Sequence, residues 1–191
     1  MRKLIRKLSD MRGISGFEYR LTDQIADMFK KYCDDVKIDS LGSVIAVKRS
    51  NKPNAPKLMI EAHCDEIGLI VTSITDEGYL TFANVGGVDE RTLPSTEVTV
   101  HGKEDLWGVI GIKPNYLLEQ GKTAKLKELA VDTGLSAEKV KEIVAVGDSI
   151  TLAQSVGRLG KKQFSGKSLD DRASVAAIMR VMKNIKDLDI D

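Results

Sequence analysis

The sequence predicts an α/β chain interrupted by a β-rich insert, and three observations carry that reading. Apolar residues recur at helical spacing near both ends of the 191 residues: Phe17, Leu21, Ile25, Met28, Phe29 and Tyr32, then Val175, Ile178, Met179, Met182 and Ile185. Between them, from Leu69 to Ala153, short strand-like runs alternate with Asp-Glu-Gly, Gly-Gly and Pro-containing turns, a texture that suggests a small barrel or sandwich. At the entry to that region an apolar run stops at His63, passes Asp65 and Glu66, and resumes after Gly68. The expected division is an α/β part over residues 1–68 and 163–191 and a β-rich part over 69–162.

Taken in order, Met1 to Leu8 has a basic start but lacks the uninterrupted apolar core of a secretion signal. Ser15-Gly16-Phe17-Glu18 has the spacing of a capping box, with Ser15 as N-cap and Glu18 reaching back, and so predicts a helix starting there. Val36 to Asp39 and Ser43 to Lys48 read as a hairpin across the turn-like Ser40-Leu41-Gly42. After the proline-bearing loop 51–56, Lys57 to Ile60 reads as a buried strand.

Further strands are expected at Leu69 to Ile74, Tyr79 to Phe82, Glu97 to Val100, Leu106 to Ile112 and Ser149 to Ala153. Thr123 to Ala130 and a Ser136-capped Ala137 to Val144 are rich in Lys, Glu, Leu and Ala and read as helical. Gly157, Gly160 and Gly166 punctuate a polar stretch before Ser168-Leu169-Asp170-Asp171-Arg172, which opens the last helix. There Asp170 reads most simply as a carboxylate near the free N–H groups of the first turn.

Composition narrows the partners. Lys+Arg at 29 against Asp+Glu at 28 leaves a net charge of +1, so no basic field argues for nucleic acid or an anionic membrane. No stretch approaches a membrane span. Cys33 and Cys64, the two cysteines, are too few for a disulfide scaffold or a thiolate cluster, which fits the cytoplasm, and both read as half-buried thiols. Gly108 to Gly111 is no phosphate loop, because no lysine and hydroxyl residue follow at the needed spacing.

His63 and Asp65 carry the candidate chemistry. Two apart at a strand end, they point to the same side, so that one can bind a metal while the other holds its second ring nitrogen. The plain alternative is a histidine and an acid in a strand-end turn. Asp65 and Glu66 are adjacent and point opposite ways. His101, at the end of an insert strand, reads as a surface or interface residue, and Arg172 as a structural partner of Asp171 or a neighbouring carboxylate.

Three motifs in this order, Ala62-His63-Cys64-Asp65-Glu66-Ile67-Gly68, Gly108-Val109-Ile110-Gly111-Ile112-Lys113-Pro114 and Gly166-Lys167-Ser168-Leu169-Asp170-Asp171-Arg172, resemble the glutamyl and deblocking aminopeptidases, which include the tetrahedral ones. The resemblance runs along essentially the whole chain. It implies a mixed-sheet metallopeptidase catalytic domain, truncated here, interrupted by a small β-barrel-like domain used for dimerisation. It further implies two divalent ions, zinc or cobalt, with His63 as a ligand of one, Asp170 bridging both, and Asp65 orienting His63.

By that resemblance the function is removal of N-terminal residues from peptides in the cytoplasm by a homo-oligomer. The family pattern continues with a Glu-Glu pair, an aspartate and a histidine. Here no glutamate follows Glu142 and no histidine follows His101; the tail aspartates Asp187, Asp189 and Asp191 read as solvated charges. The expectation is therefore an N-terminal half, inactive by itself, with weak or partial metal occupancy. Two alternatives stand beside it: a non-catalytic assembly subunit acting through the insert, and a glycoside hydrolase, since some relatives carry an endoglucanase name. The latter needs two carboxylates across a sugar cleft with aromatic platforms, and aromatics make up 5% of the chain.

Overall fold

A computed structural model describes residues 1–50, 52–112, 125–185 and 190. The tail aspartates, Thr123, and Lys113-Pro114 of the second motif lie outside the described residues. Two compact units form, one from Met1–Glu66 with Ser155–Asp191 and one from Ile67–Gln154. The division thus falls after Glu66 and Gln154, where the sequence reading placed it after residues 68 and 162.

In the first unit, helices α1 (Arg2–Ser9), α2 (Tyr19–Phe29) and α4 (Leu169–Asn184) each bury one apolar stripe. Ile5 and Leu8, then Leu21, Ile25 and Phe29, then Val175, Ala176 and Met179 recur at three- and four-residue spacing and form one core. Full burial of such a Leu, Ile or Phe is worth about 1.5–3 kcal/mol, so the core outweighs the helices' own propensity. Strands β1 (Asp35–Ile38) and β2 (Val44–Val47) pair antiparallel, as the hairpin pattern predicts. Their turn is closed by Asp39, whose Oδ1 accepts the N–H groups of Leu41 and Ser43, each at 2.9 Å. A shorter hairpin joins β9 (Gly157–Leu159) and β10 (Gln163–Ser165).

Two expectations fail in this unit. Ser15 is not an N-cap: α2 begins at Tyr19, and Gly16 takes φ +87°, which breaks the helical path. Glu18 Oε1 accepts instead from the nearby Gly16 N–H at 2.8 Å. Nor is Lys57 to Ile60 a buried strand. The segment has no strand partner among the described residues, and Leu58, Met59 and Ile60 are 60%, 82% and 51% exposed. An apolar run is buried as a strand only where neighbouring strands flank it.

The second unit is a closed six-stranded antiparallel barrel, with strand order β3-β4-β7-β6-β5-β8. Its strands are β3 (Gly68–Ile74), β4 (Leu80–Val85), β5 (Glu97–His101), β6 (Asp105–Ile112), β7 (Leu129–Asp132) and β8 (Ser149–Leu152). Alternate residues point inward: Leu69 and Val71, Leu80 and Phe82, Val98 and Val100, Leu129 and Val131 belong to its core. Closure leaves the barrel without a free edge. Helix α3 (Ala137–Ile143) follows Ser136 and buries Ala137 and Val140.

Thr123 to Ala130 is not helical over its described part. Leu126–Glu128 forms a single 3-10 turn and Leu129 already belongs to β7. The alternating Leu129 and Val131 fit the barrel interior, and that burial overrides the helix-favouring composition. Gly108 on β6 is required by a close approach, since a Cβ there would stand 2.6 Å from Val131 Cγ1 and 3.0 Å from Asp132 O. His101 is also corrected: its side chain is 11% exposed, with Nδ1 2.9 Å from Asp105 Oδ1 and Nε2 2.9 Å from Thr151 Oγ1. It is a mostly enclosed barrel residue. No helix among the described residues is long and apolar enough to cross a membrane.

Candidate metal centre

Backbone alternation brings His63 and Asp65 to the same side of the chain, and the head of α4 supplies Asp170. His63 Nδ1 lies 3.1 Å from Asp65 Oδ1, and His63 Nε2 lies 3.2 Å from Asp170 Oδ1. One imidazole is therefore flanked by two carboxylates, the second 107 residues distant in sequence. Asp170 stands at the head of α4, where the sequence places it, and its carboxylate meets His63. Its backbone is extended (φ −88°, ψ 107°) ahead of the regular helix, and the peptide between Asp170 and Asp171 is cis. His63 and Asp170 are reachable from solvent, with side chains 55% and 96% exposed.

Partial burial pushes the His63 imidazole down, but its hydrogen bonds to Asp170 and Asp65 more than offset this and hold it above its ordinary value. On the far side of Asp65, Ser15 Oγ donates to Asp65 Oδ2.

Glu66 turns the other way, into the protein, at 5% exposure. Its backbone bridges to Ile14, and its N–H donates to Gly13 O at 2.9 Å. Its carboxylate accepts Lys167 Nζ at 2.9 and 2.8 Å, the Gly13 N–H at 3.2 Å and the Ser168 hydroxyl. A buried carboxylate persists only when paired in this manner. Burial pushes the Lys167 ammonium below its ordinary value, and the attraction of Glu66 opposes that shift.

Arg172 lies beneath the same segment with no exposed surface. Its guanidinium donates to Cys64 O at 2.7 Å, Leu8 O at 3.0 Å, Ser9 O and Gly13 O at 3.3 Å each, and to Met11 O. Nη2 also lies 3.4 Å from Glu66 Oε1. Arg172 thus ties the His63 segment and the loop after α1 to the start of α4. Its carboxylate neighbour is Glu66, and its role is structural.

Sequence reasoning missed Ser15, Glu66 and Lys167 as parts of this site. The signal for Glu66 was present: if Asp65 and Glu66 face opposite ways and Asp65 faces out, Glu66 faces in and needs a cation. The signal for Ser15 was hidden by its agreement with a capping pattern.

An imidazole nitrogen and a carboxylate oxygen facing each other are a suitable donor pair for zinc or a similar divalent ion. The residues fit two ligands of such a centre. Among the described residues no group of three or more His, Cys, Asp or Glu is arranged to hold a metal ion.

A helical unit interrupted in sequence by a closed barrel is an architecture shared with solved aminopeptidases. Residues 42–191 match the M42 glutamyl aminopeptidase family, and the chain belongs to that family. An aminopeptidase from the archaeon Desulfurococcus kamchatkensis is 35% identical, with a TM-score of 0.92 covering 98% of this chain and 53% of that one. The TET1 peptidase of Pyrococcus horikoshii, described as assembling into a tetrahedron or a large octahedral shell, is 33% identical with a TM-score of 0.82, covering 96% of this chain and 56% of that one. A structure from Thermotoga maritima named an endoglucanase is 32% identical with a TM-score of 0.84, covering 98% and 56% respectively. The chain spans about half the length of the curated relatives it matches.

Proposed function

We propose that this chain supplies one part of a metal-dependent aminopeptidase centre, with His63 and Asp170 as metal ligands and Asp65 as the residue that orients His63. The pairing of His63 Nε2 with Asp170 Oδ1 at 3.2 Å carries the reading. Aminopeptidases of the family are metal-dependent; two divalent ions, zinc or cobalt, held here would polarise a peptide carbonyl and lower the pKa of a bound water. Asp65 keeps the proton of a neutral His63 on Nδ1 and leaves Nε2 free to bind. Asp170, almost wholly exposed, offers oxygens that two cations can share.

The substrates are peptides with a free N-terminus, and the compartment is the cytoplasm. The 191 residues alone are inactive in this reading: His63 and Asp170 are two ligands where a catalytic zinc takes about three plus an open position.

The test is hydrolysis of aminoacyl-nitroanilides by the chain alone and by the chain joined to the remaining half of a solved relative. Metal-dependent cleavage of unblocked substrates by the joined protein, abolished in His63→Ala, supports the reading. Cleavage that survives His63→Ala, or turnover by the purified chain alone, overturns it.

A second reading is favoured by the closed barrel with its own core. The inserted unit, in this reading a dimerisation domain spanning roughly residues 69–162, drives homo-oligomer assembly, in keeping with the assemblies described for TET1. Trp107 and Val146, 58% and 65% exposed, supply apolar surface for it. Glycoside hydrolysis finds less support, because Asp65 is engaged with His63 while Glu66 is buried against Lys167. These carboxylates do not face one cleft.

A further inference from the structure

The loop between α1 and α2 is held against the His63 segment at consecutive points. Ile14 is fully buried and bridges in parallel to Glu66. Gly13 O accepts from Glu66 N–H at 2.9 Å and from Arg172 Nη2 at 3.3 Å, while Gly13 N–H donates to Glu66 Oε1 at 3.2 Å. The next residue, Ser15, is thereby placed with its hydroxyl on Asp65 Oδ2, and the other oxygen of that carboxylate meets His63 Nδ1 at 3.1 Å.

We propose that Ser15 is a positioning residue for the metal centre: its hydroxyl fixes the Asp65 carboxylate, which fixes the ring orientation and tautomer of His63. The proposal rests on the reading of His63 and Asp170 as metal ligands. Its physical basis is that a carboxylate with one partner rotates about its terminal torsion, which is broad, whereas a carboxylate held at both oxygens does not. Asp170 meets the opposite ring nitrogen at 3.2 Å from a side chain that is nearly all exposed, where water competes for its oxygens. With Ser15 in place, a neutral His63 therefore carries its proton on Nδ1, toward Asp65, and presents a bare Nε2. Without the hydroxyl the Asp65 side loosens, and the tautomer with the proton on Nε2, facing Asp170, gains. That form cannot bind a metal through Nε2.

The test uses the 191-residue chain without metal, well above the imidazole range, where nitrogen-15 NMR reads which ring nitrogen carries the proton. His63 and His101 are the two histidines; His101, enclosed in the barrel unit, reports that the barrel is folded, and circular dichroism of the helices reports the same for the unit that holds Ser15 and His63. The expected result is Nδ1–H at His63 in the native chain and a shift toward Nε2–H in Ser15→Ala. Restoration is expected in Ser15→Thr, with His101 unchanged throughout. Titration with zinc or cobalt is expected to show an affinity about tenfold weaker for Ser15→Ala, the lower bound for loss of a residue that supports a ligand.

An Nε2–H tautomer in the native chain, a balance unmoved by Ser15→Ala, or a shifted tautomer with unchanged affinity overturns the proposal. Failure of the underlying reading looks different: His63→Ala then binds zinc as well as the native chain, while the tautomer comparison still decides the role of Ser15.

Discussion

His63 Nε2 and Asp170 Oδ1 stand 3.2 Å apart although 107 residues separate them in the chain. A short imidazole–carboxylate pair left open to solvent contributes little to stability, and its accessibility suits a ligand site better than a core contact. His63→Ala and Asp170→Ala are each expected to weaken zinc or cobalt binding by more than about tenfold while leaving the circular dichroism of the chain unchanged. Calorimetric titration of the three proteins measures this; equal affinities exclude the site.

Arg172 is expected to be the costliest single replacement in the first unit. Arg172→Met removes the guanidinium from five backbone carbonyls and from the ion pair with Glu66, whose carboxylate keeps Lys167, Ser168 and the Gly13 N–H. Loss of one partner of a buried charged network costs about 3–5 kcal/mol. Urea unfolding should show the first unit's transition displaced by that amount and the barrel's transition in place. Arg172→Lys recovers only part of the loss, since an ammonium lacks the planar fork that reaches several carbonyls at once.

Both thiols are expected to react slowly. Burial raises Cys33 above its ordinary value, against the pull of Lys48, and burial raises Cys64 further than the nearby Arg172 guanidinium lowers it. The thiolate is the nucleophile, so a raised pKa reduces the reactive fraction near neutral pH. Timed reaction with a chromogenic disulfide at mildly alkaline pH should be slower for the folded chain than for the chain in denaturant; equal rates contradict the burial described.

How far the sequence reached depended on whether local pattern and tertiary setting agreed. The hairpin at β1 and β2, the strands β3 to β6 and β8, and the apolar stripe of α4 were legible because periodicity and turn chemistry report the element directly. Leu126 to Ala130 was misread because helix-favouring composition lost to two inward positions of a barrel. Ser15 was misread because a serine three residues before a glutamate satisfies a capping pattern whichever group its hydroxyl meets. That His63 and Asp65 face one way was legible from their two-residue spacing, and the approach of Asp170 to His63 only from the likeness of three motifs to a family. The Glu66–Lys167–Arg172 network is a product of the fold.

Leu58, Met59 and Ile60 form a contiguous exposed apolar run outside the strands and helices. Such a segment is a template for association. The chain is expected to bind a hydrophobic dye and to self-associate as concentration rises, with Met59→Lys reducing both. Light scattering of the two proteins checks this, and no difference between them would place the association surface elsewhere.

In the barrel unit, Asp89 accepts from the Arg91 side chain and from its backbone N–H, and these bonds hold its carboxyl down at about 2. Because the folded value lies below the ordinary one, the stabilisation is present above the usual carboxylate range and is lost as pH falls toward about 2. Carbon-13 titration of the carboxyl should show Arg91→Ala returning Asp89 toward its ordinary value. An unmoved midpoint would mean the pair does not persist in solution.

The first and last strands of the barrel, β3 and β8, are antiparallel neighbours in which Leu69 faces Ile150. The polypeptide therefore enters and leaves this unit on neighbouring strands, close to one another. A module with such a doorway can be excised and its flanks rejoined by a short turn, or be exchanged for another of different shape, without lengthening the path of the host. The two units can then diverge separately within one gene.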